Sequence, residues 1–423
     1  MFSPVMDLQS IQLDSFPHIY DNMGILDELY DDNTWNTYLN RKLSSVNVGR
    51  QESDRLREYV SSKRYLPVVD RIVSGHEFPI PVRKVISKGG TSKKRIVYSF
   101  PEDEMTVLKV MAELLHRYDR LFSDNLYSFR RESGVRVAIR KLYSLDGLDR
   151  MYAYKVDISN YFNSIRWENI RDDLSNDLDD PGFLGFLDSL FGDDRAISDG
   201  EVIRDDGKGA MAGVPLSAFL ANYYLGGLDR RFTDPGVLYM RYSDDILVVA
   251  EDEQSVIDGR REILEHIRRK GLSVNPDKER FMVPGEPIEF LGFRFENGVV
   301  DISSVTLSKM KDRIRRSARS IRRWMLRKGV EPEKALRVMI RKFDRKFFGN
   351  GGGGIDWSLW YFPVIDTDGS LRAIDLHLQQ WCRFVITGRH SGKNHDAVPY
   401  DMLRRNGYRT LVCEYHRFRD NRT

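Results

Sequence analysis

Two adjacent acidic residues, Asp244 and Asp245, lie between two apolar runs in residues 237–250, which read Val-Leu-Tyr-Met-Arg-Tyr-Ser-Asp-Asp-Ile-Leu-Val-Val-Ala. Both runs have the composition of β-strands, which predicts a hairpin with the two carboxylates at its tip. Burial between strands makes two neighbouring negative charges costly unless a cation neutralises them. The chain has five other Asp-Asp pairs, all in polar surroundings typical of solvated turns. The alternative for residues 237–250 is an ordinary hairpin turn that is acidic.

A second segment, residues 151–162, supplies a further carboxylate. It runs as a strand, Met-Tyr-Ala-Tyr-Lys-Val, into Asp157 and then into a turn. Two short strands that each end in carboxylates can hold two hard divalent cations about 3.5–4 Å apart. One ion would lower the pKa of an attacking hydroxyl, and the other would stabilise a leaving pyrophosphate. Because neither segment offers His or Cys, we predict two Mg²⁺ ions, with Mn²⁺ as a substitute.

These segments resemble the catalytic motifs of reverse transcriptases. Tyr-Ser-Asp-Asp at 242–245 resembles their Tyr-x-Asp-Asp box, and Val-Asp-Ile-Ser-Asn-Tyr-Phe at 156–162 resembles their first palm motif. Further resemblances follow in the family's order: the fingers segment at 128–139, the template and nucleotide loop with its helix at 213–225, the next palm motif at 272–278 and the primer grip at 290–293. The resemblance covers about residues 60–349. It implies an α+β right-hand polymerase fold, with fingers, a palm containing an antiparallel sheet, a helical thumb and a small C-terminal extension.

The resemblance also implies roles for individual residues. Asp157, Asp244 and Asp245 would be the catalytic carboxylates and the metal ligands. Ile158 would offer its backbone carbonyl to the metal and the nucleotide. Phe162 would be the aromatic gate that clashes with a ribonucleotide 2′-hydroxyl and so favours dNTPs. The alternative for Phe162 is a plain core phenylalanine.

Basic residues of the predicted hairpin at 78–100 suit the nucleotide's phosphates. The hairpin carries Lys88, Lys93, Lys94 and Arg95, and the resemblance assigns Arg95, helped by Lys94, to the triphosphate. Lys278 matches a lysine proposed to protonate pyrophosphate, and a surface lysine is the alternative. The other implied nucleotide and primer contacts are Gly213, Phe290, Leu291 and Gly292.

A basic block lies at residues 301–349, with 16 Lys and Arg against 5 Asp and Glu in a chain of net charge +3. Apolar residues recur through it at helical spacing, which predicts two stacked helices with one buried stripe each. Such a block is the electrostatic footprint of a polyanion binder, and a solvated charged helix is the alternative. The arginines expected to face outward toward primer and template are Arg315, Arg316, Arg319, Arg322 and Arg323.

The domain organisation follows from these motifs. We predict an N-terminal helical extension at 1–60, fingers at 61–150, a palm at 151–300, a thumb at 301–349, a glycine linker at 350–354 and a C-terminal extension at 355–423. The palm is expected to contain an acidic insertion at about 166–208. No apolar run is long enough for a membrane helix, the first residues lack a secretory pattern, and two cysteines fit a reducing compartment, so we expect a cytoplasmic chain without a membrane partner.

Two departures from the family pattern bear on the function. Where the family has glutamine before the loop glycine this chain has Ala212, and where it often has aspartate this chain has Asn163. With the short tail, these departures resemble the stand-alone bacterial reverse transcriptases of phage defence, within the group II intron and retron-like superfamily.

The function expected first is RNA-directed DNA polymerase: dNTPs are added to a 3′-hydroxyl on an RNA template by a two-metal mechanism, in bacterial antiphage defence with a partner non-coding RNA. The enzyme alternative is template-independent or protein-primed DNA synthesis, which Ala212 keeps open. The alternative of another class is an inactive RNA-binding scaffold. The expected partners are RNA, dNTPs and the DNA product, and self-association is left open.

Overall fold

The structure, a computed structural model, describes residues 23–44, 49–87, 94–349 and 357–421. Its strands are β1 (Val82–Ser87), β2 (Lys94–Ser99), β3 (Tyr152–Asp157), β4 (Arg195–Ser198), β5 (Glu201–Arg204), β6 (Val237–Tyr242), β7 (Asp245–Ala250), β8 (Arg280–Met282), β9 (Ile288–Phe290), β10 (Phe293–Glu296) and β11 (Val299–Ile302). Strands and helices alternate irregularly and the strand pairs are mostly antiparallel, which is an α+β arrangement.

The helices, in chain order, are α1 (Ile25–Glu28), α2 (Asp32–Ser44), α3 (Arg50–Ser61), α4 (Leu66–Val73), α5 (Glu102–Leu114), α6 (Val135–Tyr143), α7 (Tyr161–Ser164), α8 (Arg171–Asp177), α9 (Pro181–Phe191), α10 (Ser217–Tyr224), α11 (Gly226–Asp229), α12 (Glu253–Arg269), α13 (Ser304–Lys328), α14 (Pro332–Phe348), α15 (Trp357–Tyr361), α16 (Gly369–Thr387), α17 (Asn394–Ala397), α18 (Tyr400–Arg405) and α19 (Leu411–Asp420). Short 3₁₀ turns lie at Leu115–Leu121, Leu148–Arg150, Trp167–Asn169 and Pro276–Lys278. No helix among the described residues has the length and apolar character needed to cross a membrane.

The sheet that positions the predicted carboxylates has the strand order β6-β7-β3-β8, and all of its pairs are antiparallel. Alternate residues of β7 enter different cores, with Ile246 and Val248 in one and Leu247 and Val249 in the other. Helix α12 packs against β3 and β7 on one of these faces. Both faces of β7 are therefore buried.

A second sheet has the order β2-β1-β4-β5. Strands β1 and β2 form the antiparallel hairpin predicted at 78–100. Strands β4 and β5 come from the acidic segment at about 166–208, and β4 joins β1 in parallel, with Val82 beside Ile197. The acidic segment therefore extends the sheet that carries Arg95.

The basic block forms the long helices α13 and α14, and each buries the stripe that its sequence predicts. The side chain of Ser303 accepts a hydrogen bond from the Thr306 backbone N–H and so caps the start of α13. The buried stripe residues are Met310, Ile314, Ala318, Ile321 and Met325 in α13, and Leu336, Met339, Ile340, Phe343 and Phe347 in α14.

The C-terminal extension packs directly on these two helices. Helix α16 contacts both α13 and α14, and its apolar stripe, Leu371, Ile374, Leu378 and Val385, belongs to the same core cluster. A third sheet, β11-β10-β9, lies between the palm strands and α13 in the sequence. The glycine linker predicted at 350–354 falls outside the described residues.

Candidate active site

The turn between β6 and β7 carries Asp244. It consists of Ser243 and Asp244, and Ser243 has a left-handed backbone conformation with a φ of 59°. The backbone N–H of Ile158 donates to the carbonyl oxygen of Asp244 at 3.0 Å, which ties the turn to the end of β3. Since Asp157 is paired with Asp245 across β3 and β7, the fold brings the three predicted carboxylates to one edge of the sheet.

A buried polar network holds this turn from behind. The Ser243 backbone N–H donates to Ser128 Oγ at 2.9 Å, and Ser128 Oγ donates to Asn222 Oδ1 at 2.9 Å. Arg241 donates from Nη1 to the Ser243 carbonyl at 3.2 Å and from Nη2 to the Asn222 carbonyl at 2.9 Å. Its ion pair with Asp229 is fully buried on both sides. Sequence reasoning missed this network, although an arginine inside the strand Tyr-Met-Arg-Tyr was a usable signal.

Burial makes the carboxylates costly in their charged forms. Burial first, and then the charge of Asp157, raises the pKa of Asp244. Burial also raises the pKa of Asp245 to about 6. Oδ1 of Asp245 is buried and has no hydrogen-bond partner within the described part of the chain. A cation among these groups would stabilise their charged forms and lower those pKa values again.

Two lysine ammonium groups lie against the carboxylates. Nζ of Lys278 is hydrogen-bonded to Oδ2 of Asp157, and Nζ of Lys155 lies 3.3 Å from Oδ2 of Asp245. In the described ranges no group of three or more His, Cys, Asp or Glu side chains is arranged to hold a metal ion. The Lys278 side chain is 48% exposed, and its ammonium lies at the end of a flexible aliphatic chain. A competing cation can therefore displace the ammonium from Asp157. The donor set is then carboxylate oxygen throughout, which fits Mg²⁺ or another hard divalent ion.

The fingers strand β2 brings a further cation toward the same edge. Burial and the charge of Asp157 raise the pKa of Asp244. The positive charges of Lys278 and Arg95 oppose this rise, so both cations lie near Asp244. Arg95 is exposed on β2, and Lys94 beside it is exposed as well. The other two hairpin lysines, Lys88 and Lys93, lie outside the described residues.

Three aromatic rings lie near one another in the segments next to Asp157 and Asp244. Phe162 is half-buried, and its ring meets that of Phe129 edge-on with centroids 6.4 Å apart. Phe129 has a φ of 52°, is 45% exposed, and lies 6.3 Å from the ring of Tyr242, the last residue of β6. Phe162 packs against the hydrophobic core with part of its surface exposed, and it also contacts the ring of Phe129. Sequence reasoning did not identify Phe129.

Comparison with known proteins gives the family of this site. Residues 86–295, about half of the chain, match the family model described as reverse transcriptase (RNA-dependent DNA polymerase). This segment is a reverse transcriptase domain. The match confirms the right-hand polymerase fold that the motifs predicted.

Solved structures similar to the chain include two telomerases. Apo telomerase from Candida tropicalis, truncated from its C-terminal domain, is 11% identical with a TM-score of 0.41, over 53% of this chain and 55% of that one. Telomerase from Candida albicans, in complex with a fragment of telomeric RNA, is 11% identical with a TM-score of 0.41, over 82% of this chain and 68% of that one. The chain thus spans about half the length of the first of these. No curated protein matches the chain in sequence.

In the reverse transcriptase domain, the two departures from the family pattern contact each other. Asn163 Oδ1 accepts the Ala212 backbone N–H at 2.9 Å, and Asn163 Nδ2 donates to the Ile96 carbonyl in β2 at 3.3 Å. The Ala212 carbonyl in turn accepts the Tyr98 backbone N–H at 2.8 Å. Gly213 follows with a φ of 104°, and a Cβ there would lie 2.9 Å from the Tyr98 carbonyl oxygen, so glycine is required. The loop at Ala212 and Gly213, which is predicted to contact the nucleotide, is thereby hydrogen-bonded to β2, the strand that carries Arg95.

The predicted primer-grip residues form the tight turn between β9 and β10. Phe290 is fully buried, and Leu291 and Gly292 have positive φ values of 50° and 89°. The Gly292 carbonyl accepts the Ser303 backbone N–H at 2.9 Å. A Cβ at Gly292 would lie 3.2 Å from Oη of Tyr361, a residue of the C-terminal extension. The C-terminal extension therefore packs against this turn through Tyr361.

The thumb arginines divide between two surfaces, which corrects the expectation that all five face outward. Arg322 donates from Nη1 to the carbonyls of Val385 and Ile386, both at 3.0 Å, and lies over the ring of Phe384. It is thus a structural contact to α16. The expectation was wrong because α13 presents that side to the C-terminal extension, whose position the sequence did not indicate.

The remaining arginines of the set are exposed. Arg319 lies over the ring of Trp381 at the edge of the extension, with its guanidinium 5.7 Å from the ring centroid. Arg315 pairs with Asp312 one turn earlier at 2.9 Å. Arg323 lines an open groove with Ser320, Leu326 and Arg327.

Proposed function

We propose that the chain is an RNA-directed DNA polymerase that adds dNTPs to a 3′-hydroxyl with divalent metal ions held by Asp157, Asp244 and Asp245. The observation that carries the proposal is the convergence of these three carboxylates at one sheet edge inside a reverse transcriptase domain. Burial disfavours the charged forms of Asp244 and Asp245, and a bound cation would stabilise those charged forms. An acidic hairpin turn without a function offers no account of the Asp157 pairing.

The donor set of the site fits Mg²⁺, with Mn²⁺ as a substitute. Asp157 and Asp244 would hold both ions, Asp245 would add a third carboxylate, and Ile158 would add its backbone carbonyl. When bound, such ions supply a lowered pKa at the attacking hydroxyl and stabilisation of the leaving pyrophosphate. The Lys278 ammonium lies on Oδ2 of Asp157, so it would compete with the metal ions for that oxygen.

The chain's own residues account for the remaining steps. Arg95 and Lys94 are suited to the triphosphate, since a guanidinium binds phosphate oxygens through two hydrogen bonds. Once displaced from Asp157, Lys278 holds a proton on Nζ that it can give to the leaving pyrophosphate. Phe162, supported by Phe129, would contact the sugar where a 2′-hydroxyl projects.

The nucleic acid would lie between the carboxylates and the thumb. The turn at Leu291 and Gly292 is suited to the primer strand, and the exposed Arg316 and Arg323 are suited to backbone phosphates. Arg315 and Arg319 add positive charge at the border of this surface. Arg322 does not belong to it, because its guanidinium contacts α16.

An RNA template, rather than untemplated synthesis, is the main proposal. Ala212 was the reason for the alternative, but its backbone is fastened to Asn163 and to Tyr98, so the loop keeps a defined position without a glutamine amide. Antiphage defence with a partner non-coding RNA, in the cytoplasm, extends the proposal, and its support is the sequence resemblance to stand-alone bacterial enzymes.

The experiment that tests the function is template-dependent synthesis by the full chain. Purified protein receives Mg²⁺, dNTPs and its co-purifying RNA, and any DNA made is sequenced. DNA complementary to that RNA is the expected result, whereas homopolymer or random sequence would favour untemplated synthesis.

The carboxylates are tested with paired amide variants. Asp244→Asn with Asp245→Asn should abolish synthesis and leave RNA binding intact. Asp172→Asn with Asp173→Asn, an exposed acidic pair on α8, makes the same charge change and should leave synthesis within about twofold of the parent. Undiminished synthesis in the first variant would refute the metal assignment, and no synthesis by the parent with any RNA would favour the scaffold.

A further inference from the structure

An open pocket of about 360 Å³ lies at the C-terminal end of α12. It is lined by Asn169, Arg231, His266, Arg269 and Lys270. None of the three carboxylates of the proposed active site lines it. We propose that this pocket, the α12 pocket, binds a phosphate group carried by a nucleotide or by an RNA backbone. This proposal does not rest on the proposed polymerase function.

The positive charge of the α12 pocket exceeds the charge available to neutralise it. Arg231 Nη1 pairs with Glu262 Oε1 at 2.6 Å, and Arg269 Nη2 lies 3.5 Å from the same oxygen. Nζ of Lys270 lies over the ring of Tyr224, 5.2 Å from its centroid. Three cations therefore surround the pocket and two of them share one carboxylate oxygen, which leaves guanidinium N–H groups for an incoming anion.

A buried histidine supplies a second and independent observation. His266 is 7% exposed, and both of its ring nitrogens are buried with no hydrogen-bond partner in the described part of the chain. Leaving a buried polar group without a partner costs stability, so native structures rarely retain one without a reason. A phosphate oxygen within the pocket would give this ring an acceptor for its N–H.

Several segments build the lining around this histidine. Gly227 packs beside the imidazole, where a Cβ would lie 3.6 Å from His266 Cε1. Asn169 also lines the pocket, and its Nδ2 donates to Oη of Tyr224 at 3.2 Å. The Tyr224 hydroxyl donates to the Lys270 carbonyl at 2.6 Å. The lining is thus built by several segments that fix one another.

The electrostatic environment of the imidazole agrees with an anion site. Burial first, and then the charges of Arg231, Lys270 and Arg269, lowers the pKa of His266 to about 4, and Glu262 opposes this only in part. A phosphate dianion in the pocket would act in the opposite direction and raise that pKa.

Phosphate is the chemistry that fits best. Two guanidinium groups and one ammonium suit an anion with several oxygens, because guanidinium forks match phosphate geometry. A pocket of about 360 Å³ also accommodates a group larger than a single oxyanion. The neighbouring groove beyond Lys270 is lined by Asp173 and Asp177, which limits the anion to the side of Arg231 and Arg269.

The test uses the full chain with a chelator present, so that metal-dependent binding at the carboxylates does not contribute. Histidine ring signals are followed by NMR while inorganic phosphate is added, and the His266 signal is assigned from the His266→Gln variant. We expect a saturable shift of this signal and a rise in the pKa of His266 by at least about one unit.

Paired variants locate the binding. Arg231→Gln with Arg269→Gln should weaken phosphate binding at least about tenfold, since charged hydrogen bonds are lost. Arg261→Gln with Arg268→Gln removes two charges that lie on the same helix but do not line the pocket, and affinity should stay within about twofold. An equal loss in both pairs would reduce the effect to general surface charge and overturn the proposal.

Two further arms identify the source of the phosphate. The same titration is run with dGTP and with a short single-stranded RNA. Shifts of His266 with inorganic phosphate and dGTP support a small phosphate ligand, and a shift with RNA alone supports the RNA backbone. No change at His266 with any of the three probes would overturn the proposal.

Discussion

Arg241 and Asp229 form an ion pair that is fully buried behind the turn carrying Asp244. Arg241 Nε lies 2.7 Å from Asp229 Oδ1, and Nη2 lies 2.5 Å from Oδ2. The remaining guanidinium nitrogen donates to the Ser243 carbonyl. The pair therefore connects the interior of the palm to the backbone of the proposed catalytic turn. It acts on the carboxylates through that backbone, which makes Arg241 a positioning residue.

Asp229→Asn is expected to lower the free energy of unfolding by about 3–5 kcal/mol, because it leaves the Arg241 charge buried without its partner. Urea denaturation of the full chain measures this. Arg260→Gln is the control, since Arg260 pairs with Glu279 on the surface and its loss should cost below about 1 kcal/mol. Equal unfolding free energies for Asp229→Asn and the parent would contradict a stabilising pair.

The hydrogen bonds of Asn163 predict an effect on nucleotide binding. Asn163→Ala removes the side-chain hydrogen bonds to Ala212 and to Ile96 of β2, the strand that carries Arg95, and leaves only the Tyr98–Ala212 backbone bond between loop and strand, so the KM for dNTPs should rise several-fold with a loss of about 1–3 kcal/mol in stability. Asn163→Asp keeps the acceptor for Ala212 but loses the donor to Ile96, and its KM should fall between the two. Steady-state kinetics with the exposed Asn176→Ala as control decides this. An unchanged KM in Asn163→Ala would separate the loop from nucleotide binding.

Phe162 is predicted to set the choice of sugar. Phe162→Ala should lower the ratio of kcat/KM for dGTP over GTP by about 10–100-fold, the range that a lost apolar contact provides. Phe162→Tyr retains the ring and its contact with Phe129, and should keep the parent ratio. Single-nucleotide incorporation with each substrate gives the ratio directly. If Phe162→Ala discriminates as the parent does, another group must exclude the 2′-hydroxyl.

Lys278 is predicted to have two separable effects. Lys278→Met removes the ammonium that competes for Asp157 and also removes the proton donor, so the Mg²⁺ concentration for half-maximal activity should fall while kcat falls about 100-fold. Lys278→Arg keeps a cation for Asp157 but does not release a proton, so kcat alone should fall. Metal titrations of single-turnover rates separate the two. The same half-maximal Mg²⁺ concentration in all three proteins would show that the Lys278–Asp157 contact does not compete with metal.

The position of Asp157, Asp244 and Asp245 at the ends of strands was predictable because the sequence patterns that indicate it are local. A period of two marks the strands around Asp244 and leading to Asp157, and the hairpin follows from one adjacent pair of residues. The buried stripes of the thumb helices were predicted for the same reason, since spacing along one helix determines which side chains share a face.

Contacts between distant segments were not predictable in this way. Nothing in the residues around Asp229 marks it as the partner of Arg241, and nothing around residue 195 indicates that β4 joins β1. Arg322 was placed on the wrong surface because its neighbours belong to α16, beyond a linker. Local periodicity identifies which face of a helix is buried, but tertiary packing decides what covers the other faces.

The pH dependence of stability provides the last prediction. The pKa of His266 in the folded chain is about 4, below the value of about 6.5 for an exposed histidine. The folded state therefore favours the neutral ring, and this contribution is complete above about pH 6.5 and is lost as the pH falls toward 4. The loss should reach up to about 3 kcal/mol in urea denaturation. His266→Gln should remove this part of the slope, whereas the exposed His395→Gln should keep it. A parent-like slope in His266→Gln would show that other groups cause the acid sensitivity.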